Sequence, residues 1–114
     1  DIMPMDVAKE LTFTGRILNG EQAKEVGLVT RVADDPFAEA MALAEEIAGK
    51  NPDAVRAGKA LYEQAWHADA RTGLELEAAL QAELIGTANQ IEAVKANFEK
   101  RAPSFQPASR TERV

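Results

Sequence analysis

The sequence predicts a mainly α fold in which about four long helices follow a short α/β segment. Alanine fills 22 of the 114 positions and aromatic residues make up only 5%, a composition that favours closely packed helices. Between Asp34 and Phe98 apolar residues recur at helical spacing. A capping residue opens each of these periodic stretches. Together these observations indicate a helical protein.

The first 33 residues predict the short α/β segment. Residues 5–11 carry apolar side chains at helical spacing, and the alternating residues 11–14 predict an extended piece. Asn19 and Gln22 form a capping box that opens a short helix. Residues 28–32 are rich in β-branched side chains and predict a second extended piece. The two pieces are too short to form an independent sheet.

Four capping patterns predict where the four long helices begin. They are Asp35-Pro36, Asn51-Pro52, Thr72 with Glu75, and Thr87 with Gln90. The first two place a capping side chain before a proline at the first helical position, and the other two are capping boxes. Pro103 and Pro107 end the helical pattern, and we expect a polar tail over residues 106–114.

Composition excludes several classes of protein. A formal charge of −6 argues against a general nucleic-acid binder, and the absence of cysteine excludes disulfides, thiolate zinc sites and cysteine nucleophiles. No apolar run is long enough to cross a membrane, and no signal peptide opens the chain. We therefore expect a cytoplasmic protein with no nucleic-acid or membrane partner. The first residue is Asp1 rather than Met, which leaves open that the chain is part of a longer polypeptide.

Residues that could carry catalysis are sparse. The single histidine, His67, has no metal or triad spacing around it, and the two serines, Ser104 and Ser109, lie in the proline-containing tail. Neighbouring carboxylates such as Glu45 and Glu46, or Glu75 and Glu77, point in different directions on a helix and do not face one pocket. We predict no catalytic residue and no metal site in this chain.

Charge is distributed unevenly along the sequence. Residues 1–90 carry a balance of −8, whereas residues 91–114 carry +2. A locally basic helix end suits a phosphate-bearing ligand or an acidic partner surface. The alternative is that these cations only offset the dipole at a helix C-terminus, and the charges alone leave both hypotheses open.

Several motifs resemble the crotonase superfamily, the enoyl-CoA hydratases and isomerases. The first is the run ELTFTGRILNGEQAKEVGLVTRV, residues 10–32. The later ones keep the family's order: an Ala-rich helix, Asn51-Pro52, Lys59, a Leu/Glu-rich helix from Thr72, and Glu99-Lys100-Arg101 followed by Pro103 and Phe105. The resemblance covers residues 2–105 and is to the C-terminal part of the family's subunit only.

The resemblance implies an incomplete enzyme. In this family an oxyanion hole and the catalytic carboxylates lie on an N-terminal ββα core, so we expect them to precede this chain. Residues 1–33 would end that core, residues 34–105 would form the C-terminal helical oligomerisation region that makes trimer contacts, and residues 106–114 would be a tail. The implied function is that of a fragment, inactive alone, of an enoyl-CoA hydratase/isomerase-type lyase acting on acyl-CoA thioesters. It would need no cofactor besides this CoA substrate.

Two ligand residues follow from the same resemblance. Lys100 matches a lysine that approaches the CoA nucleotide phosphates, and Phe98 is the nearby aromatic residue expected against the acyl or pantetheine part. The family's aromatic residue lies three places before the lysine, which is Asn97 here, so Phe98 is rotated by about 100° around the helix. Asn89 stands where Asp is common, and Ala93 where Gly is common.

The size of the chain also predicts partners. A chain this small buries only about 65% of its unfolded surface, and several helices carry apolar residues on more than one stripe. We expect other copies, the rest of the subunit or exchanged helices to cover them, in a trimer or dimer of trimers by resemblance. The competing hypothesis is a stand-alone helical protein-interaction module without catalysis.

Overall fold

The computed structural model describes residues 2–108, within which there are six α-helices and no β-strand. The helices are α1 (Met5–Thr14), α2 (Gly20–Glu25), α3 (Pro36–Ala48), α4 (Pro52–Ala65), α5 (Ala70–Leu84) and α6 (Ala88–Phe98). The mainly α class is confirmed. None of these helices combines the length and hydrophobicity that crossing a bilayer requires. Asp1, Ser109 and most of the predicted tail lie outside the described residues.

The described chain divides into two compact units, of which the first ends at Ala42 and the second begins at Leu43. In the first unit the predicted α/β segment is wrong, because residues 11–14 continue α1. The hydroxyls of Thr12 and Thr14 donate to the carbonyls four residues earlier, at 2.8 and 2.7 Å. These bonds satisfy the hydroxyl groups inside a helix, which then ends at Gly15 with φ 62°.

Residues 28–32 form no strand either. The backbone N–H groups of Leu28 and Val29 both donate to the carbonyl of Ala23, at 2.8 and 3.3 Å. Gly27, with φ 79°, reverses the chain, and a Cβ there would lie 2.9 Å from the carbonyl oxygen of Ile2. The β-branched residues that predicted a strand therefore follow the end of α2 and have no strand to pair with in the described residues. The capping box of Asn19 that opens α2 is confirmed.

Side chains cap the four longer helices. Asp35 accepts from the Ala38 N–H at 3.0 Å, and Asn51 accepts from the N–H groups of Asp53 and Ala54. Thr87 accepts from the Gln90 N–H at 3.4 Å. These three match the capping residues predicted from the sequence.

Helix α5 begins earlier than predicted. Its N-cap is Asp69, which accepts from the Thr72 N–H at 3.0 Å, and this bond is the main reason that the pKa of Asp69 is lowered. Glu75, the predicted capping-box partner, forms an ion pair with Arg71 at 3.1 Å instead. An Asp at the N-cap keeps its charge next to the N–H groups of the first turn.

Helix α4 packs against α5 and α6 in the second unit, and Asn89 links α4 to the segment after α6. Its side chain is 4% exposed. The amide Nδ2 donates to Asp53 Oδ2 at 2.7 Å and to the carbonyl of Gln106 at 3.1 Å, while Oδ1 accepts from the Gln106 N–H at 2.8 Å. One amide side chain thus joins the first turn of α4 to the extended segment after α6.

Arg101 fixes the chain where α6 ends. Its guanidinium binds both carboxylate oxygens of Glu92, at 2.6 and 3.0 Å, and donates to Glu99 at 2.6 Å. Glu92 also accepts from the Ser104 N–H at 2.8 Å. The hydrogen bonds from Arg101 and Ser104 hold the pKa of Glu92 at about 2, below its usual 4.5. We call these bonds of Arg101, Glu92, Glu99 and Ser104 the Arg101 clamp.

Very little apolar surface is buried. Among residues 2–108 the buried apolar residues are Ala23 and Ala96, and every residue of α3 is exposed. Large apolar side chains such as Phe13, Ile17 and Phe37 are more than 70% exposed. The helices therefore present apolar faces that this chain does not cover.

The Asn89 linkage predicts that Asn89→Asp destabilises the chain. Aspartate cannot donate to Gln106, and it places a second carboxylate against Asp53. We expect the free energy of unfolding at neutral pH to fall by about 2 kcal/mol. Lowering the pH should restore part of this stability. The new carboxyl at position 89 lies next to Asp53, so its folded-state pKa is raised, and protonation removes the repulsion between the two groups.

Urea unfolding followed by far-UV circular dichroism at one fixed protein concentration measures this effect. Asn97→Asp, at an exposed asparagine on the same helix, is the matched control and should cost less than about 0.5 kcal/mol. Equal losses for the two variants would contradict the role assigned to Asn89.

The Arg101 clamp predicts a pH-dependent effect of Glu92→Gln. Because the folded-state pKa of Glu92 is about 2 and its usual value is 4.5, the charged carboxylate stabilises the fold above the higher value. This stabilising effect is lost as the pH falls through the folded-state pKa of about 2. The variant should therefore be less stable than the native chain at neutral pH, and the difference should shrink steadily below pH about 4.5.

Unfolding curves of the native chain, Glu92→Gln and the control Glu45→Gln, recorded at neutral pH and at pH about 3, test this expectation. A stability difference for Glu92→Gln that is the same at both pH values would show that the clamp does not depend on the charge of Glu92.

Candidate functional site

The C-terminal turn of α6 is the candidate site, and Lys100 has an unusual backbone there. Its φ is 52°, in the left-handed region. Among residues 2–108 it is the only non-glycine residue with a positive φ. The Lys100 N–H donates to the Asn97 carbonyl at 3.3 Å and the Arg101 N–H to the Ala96 carbonyl at 3.0 Å. This is a Schellman motif, in which the left-handed position is usually glycine. A lysine there costs about 1–2 kcal/mol.

Carboxylates around this turn already have cationic partners. Arg101 holds Glu92 and Glu99, and Lys95 lies 3.9 Å from Glu99. Across residues 2–108, Lys100 forms no ion pair, and its side chain is exposed. Lys100 is therefore a cation whose charge no carboxylate of the described chain neutralises.

Phe98, the other predicted ligand residue, is the last residue of α6 and is 81% exposed. It lies two residues before Lys100, so both predicted residues belong to one helix end. The described chain supplies no enclosing wall for the phenyl ring. An exposed ring beside an unneutralised cation suits a ligand with an apolar part and an anionic part.

Two grooves in the second unit lie away from this turn. One is about 400 Å³ and runs between α4 and α5, lined by Arg56, Ala60, Leu80 and neighbouring residues. The other, about 470 Å³, is mostly apolar. It is lined by Leu61, Tyr62, Ala65, Trp66, Ala70, Gly73, Leu74 and Glu77. We call the second one the aromatic groove.

The aromatic groove is a feature that the sequence analysis did not single out. The Tyr62 and Trp66 ring centroids are 6.0 Å apart, and Tyr62, Trp66 and Leu74 are each more than 60% exposed. Tyr62 and Trp66 are four residues apart, and this helical spacing was the available signal. Exposed aromatic residues in a shallow apolar groove are typical of protein interfaces.

The other catalytic candidates stay apart. His67 is exposed in the turn between α4 and α5, and Glu46 and Glu75 form ion pairs with Lys50 and Arg71. In the part of the chain that the structure describes, no three His, Cys, Asp or Glu residues could hold a metal ion. The backbone N–H of Ser104 is used in the Arg101 clamp. The structure therefore does not bring these sequence candidates together into one site among the described residues.

Comparisons with known proteins agree along the length of the chain. The model of the enoyl-CoA hydratase/isomerase family matches residues 1–108. The enoyl-CoA hydratase domain-containing protein 2, mitochondrial, of Mus musculus is 41% identical over 105 residues, covering 87% of this chain and 36% of that protein. The methylglutaconyl-CoA hydratase, mitochondrial, of Mus musculus is 37% identical over 108 residues, covering 90% and 34%.

A solved structure shows the same fold. The crystal structure of an enoyl-CoA hydratase from Bacillus anthracis superimposes with a TM-score of 0.86 at 35% identity, over 91% of this chain and 41% of that one. The chain thus spans about a third of the length of the two curated relatives.

The expectation of a cytoplasmic protein is wrong, because both mouse relatives are named as mitochondrial. That expectation depended on the lack of a signal segment in this sequence. A targeting segment belongs to the start of a whole protein, so its absence from a stretch matching a third of the relatives' length carries no information.

The resemblance to the crotonase superfamily is confirmed by a family match over nearly every residue and by relatives more than 30% identical. The chain belongs to the enoyl-CoA hydratase/isomerase family.

Proposed function

We propose that this chain is the C-terminal helical part of an enoyl-CoA hydratase/isomerase-type subunit that acts on acyl-CoA thioesters. In this role it contributes the CoA-phosphate lysine, Lys100, and surfaces for assembly, while the oxyanion hole and catalytic carboxylates lie on other residues of the subunit. The observation that carries the proposal is the family match over residues 1–108 together with helices whose apolar faces are uncovered.

The placement at the C-terminal part of the subunit is supported by secondary structure. The family's catalytic core, as the resemblance implies, is built of ββα units, and residues 2–108 contain helices without strands. The order of the motifs, from the Thr-Gly-Arg turn to Glu99-Lys100-Arg101, supports the same placement. A chain without the core has no pair of N–H groups arranged for a thioester oxyanion, so we propose that it is inactive alone.

Assembly is supported by exposed apolar surface. Tyr62, Trp66 and Leu74 in the aromatic groove, and the apolar stripe of α3 with Phe37 and Met41, are open to solvent. Clusters of exposed large apolar side chains mark interaction sites. We propose that other copies of the chain and the remainder of the subunit cover these surfaces in a homo-oligomer, a trimer or dimer of trimers.

CoA binding without catalysis is the central expectation. The chain should bind CoA, as measured by isothermal titration calorimetry, and should not hydrate crotonyl-CoA in the same preparation. Lys100→Ala should weaken CoA binding about tenfold, because a charge-assisted hydrogen bond to phosphate contributes about 1.5 kcal/mol. Lys9→Ala, at an exposed lysine on α1, is the matched control and should leave CoA affinity unchanged.

Hydration of crotonyl-CoA by this chain alone would disprove the assignment of catalysis to other residues. Equal CoA affinity for Lys100→Ala and Lys9→Ala would disprove the role of Lys100.

Self-association should depend on the aromatic groove. In sedimentation velocity the chain should show a concentration-dependent rise in sedimentation coefficient. Replacing Trp66 and Leu74 together by Ser should raise the dissociation constant at least tenfold, because burial of each side chain contributes about 2 kcal/mol.

Gln81→Ser, at an exposed polar residue of α5, is the control and should leave association unchanged. A helical monomer at all concentrations would exclude self-association through the aromatic groove. If the monomer also fails to bind CoA, the competing hypothesis of an interaction module without catalysis gains support.

A further inference from the structure

Four of the helices are followed by a residue with left-handed backbone (positive φ), and three of these residues are glycines. Gly15 follows α1, Gly27 follows α2 and Gly86 follows α5, with φ between 62 and 83°. The fourth, after α6, is Lys100 with φ 52°. Where the chain needs only a reversal of direction it uses glycine, which adopts this backbone without strain. At the end of α6 it keeps a long cationic side chain despite the strain.

Strain of this kind persists only where neighbouring interactions hold it. The residue after Lys100 supplies them through the Arg101 clamp. Arg101 reaches back nine residues to both oxygens of Glu92 and also binds Glu99 and the carbonyl of Ala102. Glu92 lies inside α6 and also accepts from the Ser104 N–H. The Arg101 clamp therefore contacts both the helix before Lys100 and the segment after it.

We propose that Arg101 is a positioning residue: its clamp on Glu92 and Glu99 holds Lys100 in the left-handed turn and keeps nearby carboxylates from neutralising it, so that its ammonium binds CoA phosphate. This inference depends on the proposed function, since it concerns how the lysine that binds CoA phosphate is held in position and kept free of ion pairs.

The chemistry of the guanidinium explains why arginine serves here. Its planar fork binds two carboxylate oxygens at once while a further N–H reaches another acceptor, and Arg101 makes this set of contacts. Lysine, a point charge with no fork, cannot reproduce the arrangement. With Arg101 removed, Glu92 loses its arginine partner and Glu99 keeps only the longer contact with Lys95. Both carboxylates can then compete with a phosphate ligand for Lys100.

The test compares the affinity for CoA with the affinity for pantetheine, which lacks the nucleotide phosphates, by calorimetry. Lys100→Gly should relieve the strain and raise Tm by about 4 °C, yet weaken CoA binding about tenfold. Arg101→Gln should weaken CoA binding at least threefold without changing pantetheine binding. Arg101→Lys should resemble Arg101→Gln, and Lys100→Arg should retain most CoA affinity.

The outcomes separate the two proposals. Unchanged CoA affinity in Lys100→Gly overturns the phosphate role of Lys100 and with it this part of the proposed function. If Lys100→Gly weakens CoA binding but Arg101→Gln does not, the site stands and the positioning role is wrong. An equal loss for CoA and pantetheine in Arg101→Gln means that the clamp is structural only. If Arg101→Gln loses its helicity, the more conservative Arg101→Lys, which keeps the charge but not the planar fork, replaces it.

Discussion

Scarcity of buried apolar surface is the constraint on which the described structure depends. Ala23 and Ala96 are the buried apolar residues of residues 2–108, and larger side chains between α4 and α5, such as Leu61 and Leu80, are only half-buried. Hydrogen bonds and ion pairs therefore contribute a larger share than usual to the stability of the second unit. Asn89 ties α4 to the segment after α6, and Arg101 ties that segment to α6 itself. Both act through side chains far apart in sequence.

The same constraint connects structure with function. Apolar faces remain open on α3, α4 and α5, and in the proposed function other copies and the rest of the subunit cover them. The part of the chain that binds ligand in the proposed function, the end of α6, is by contrast well ordered by hydrogen bonds. In the proposed function, ligand binding and assembly therefore use different parts of the chain.

Sequence patterns located the caps of three helices, α3, α4 and α6, and misjudged the extended pieces of the first unit. Asp35, Asn51 and Thr87 cap the helices that they predict, because a cap is a contact between residues two or three apart. Residues 11–14 and 28–32 were expected to be extended because of their hydroxyl and β-branched side chains. Such propensities are weak, and they yield when helix continuation or a closing turn satisfies the backbone and no partner strand is present.

By itself, the sequence determined the helical class, most helix starts and the family resemblance that singles out Lys100, all of which depend on short spacings or on the order of motifs. The tertiary structure decided that Asn89 is buried between Asp53 and Gln106, that Arg101 binds Glu92, and that Lys100 is left-handed and unneutralised. The contacts of Asn89 and the Arg101–Glu92 pair join residues nine to 36 positions apart. No local pattern encodes such pairs, since their formation depends on how the chain returns after α6.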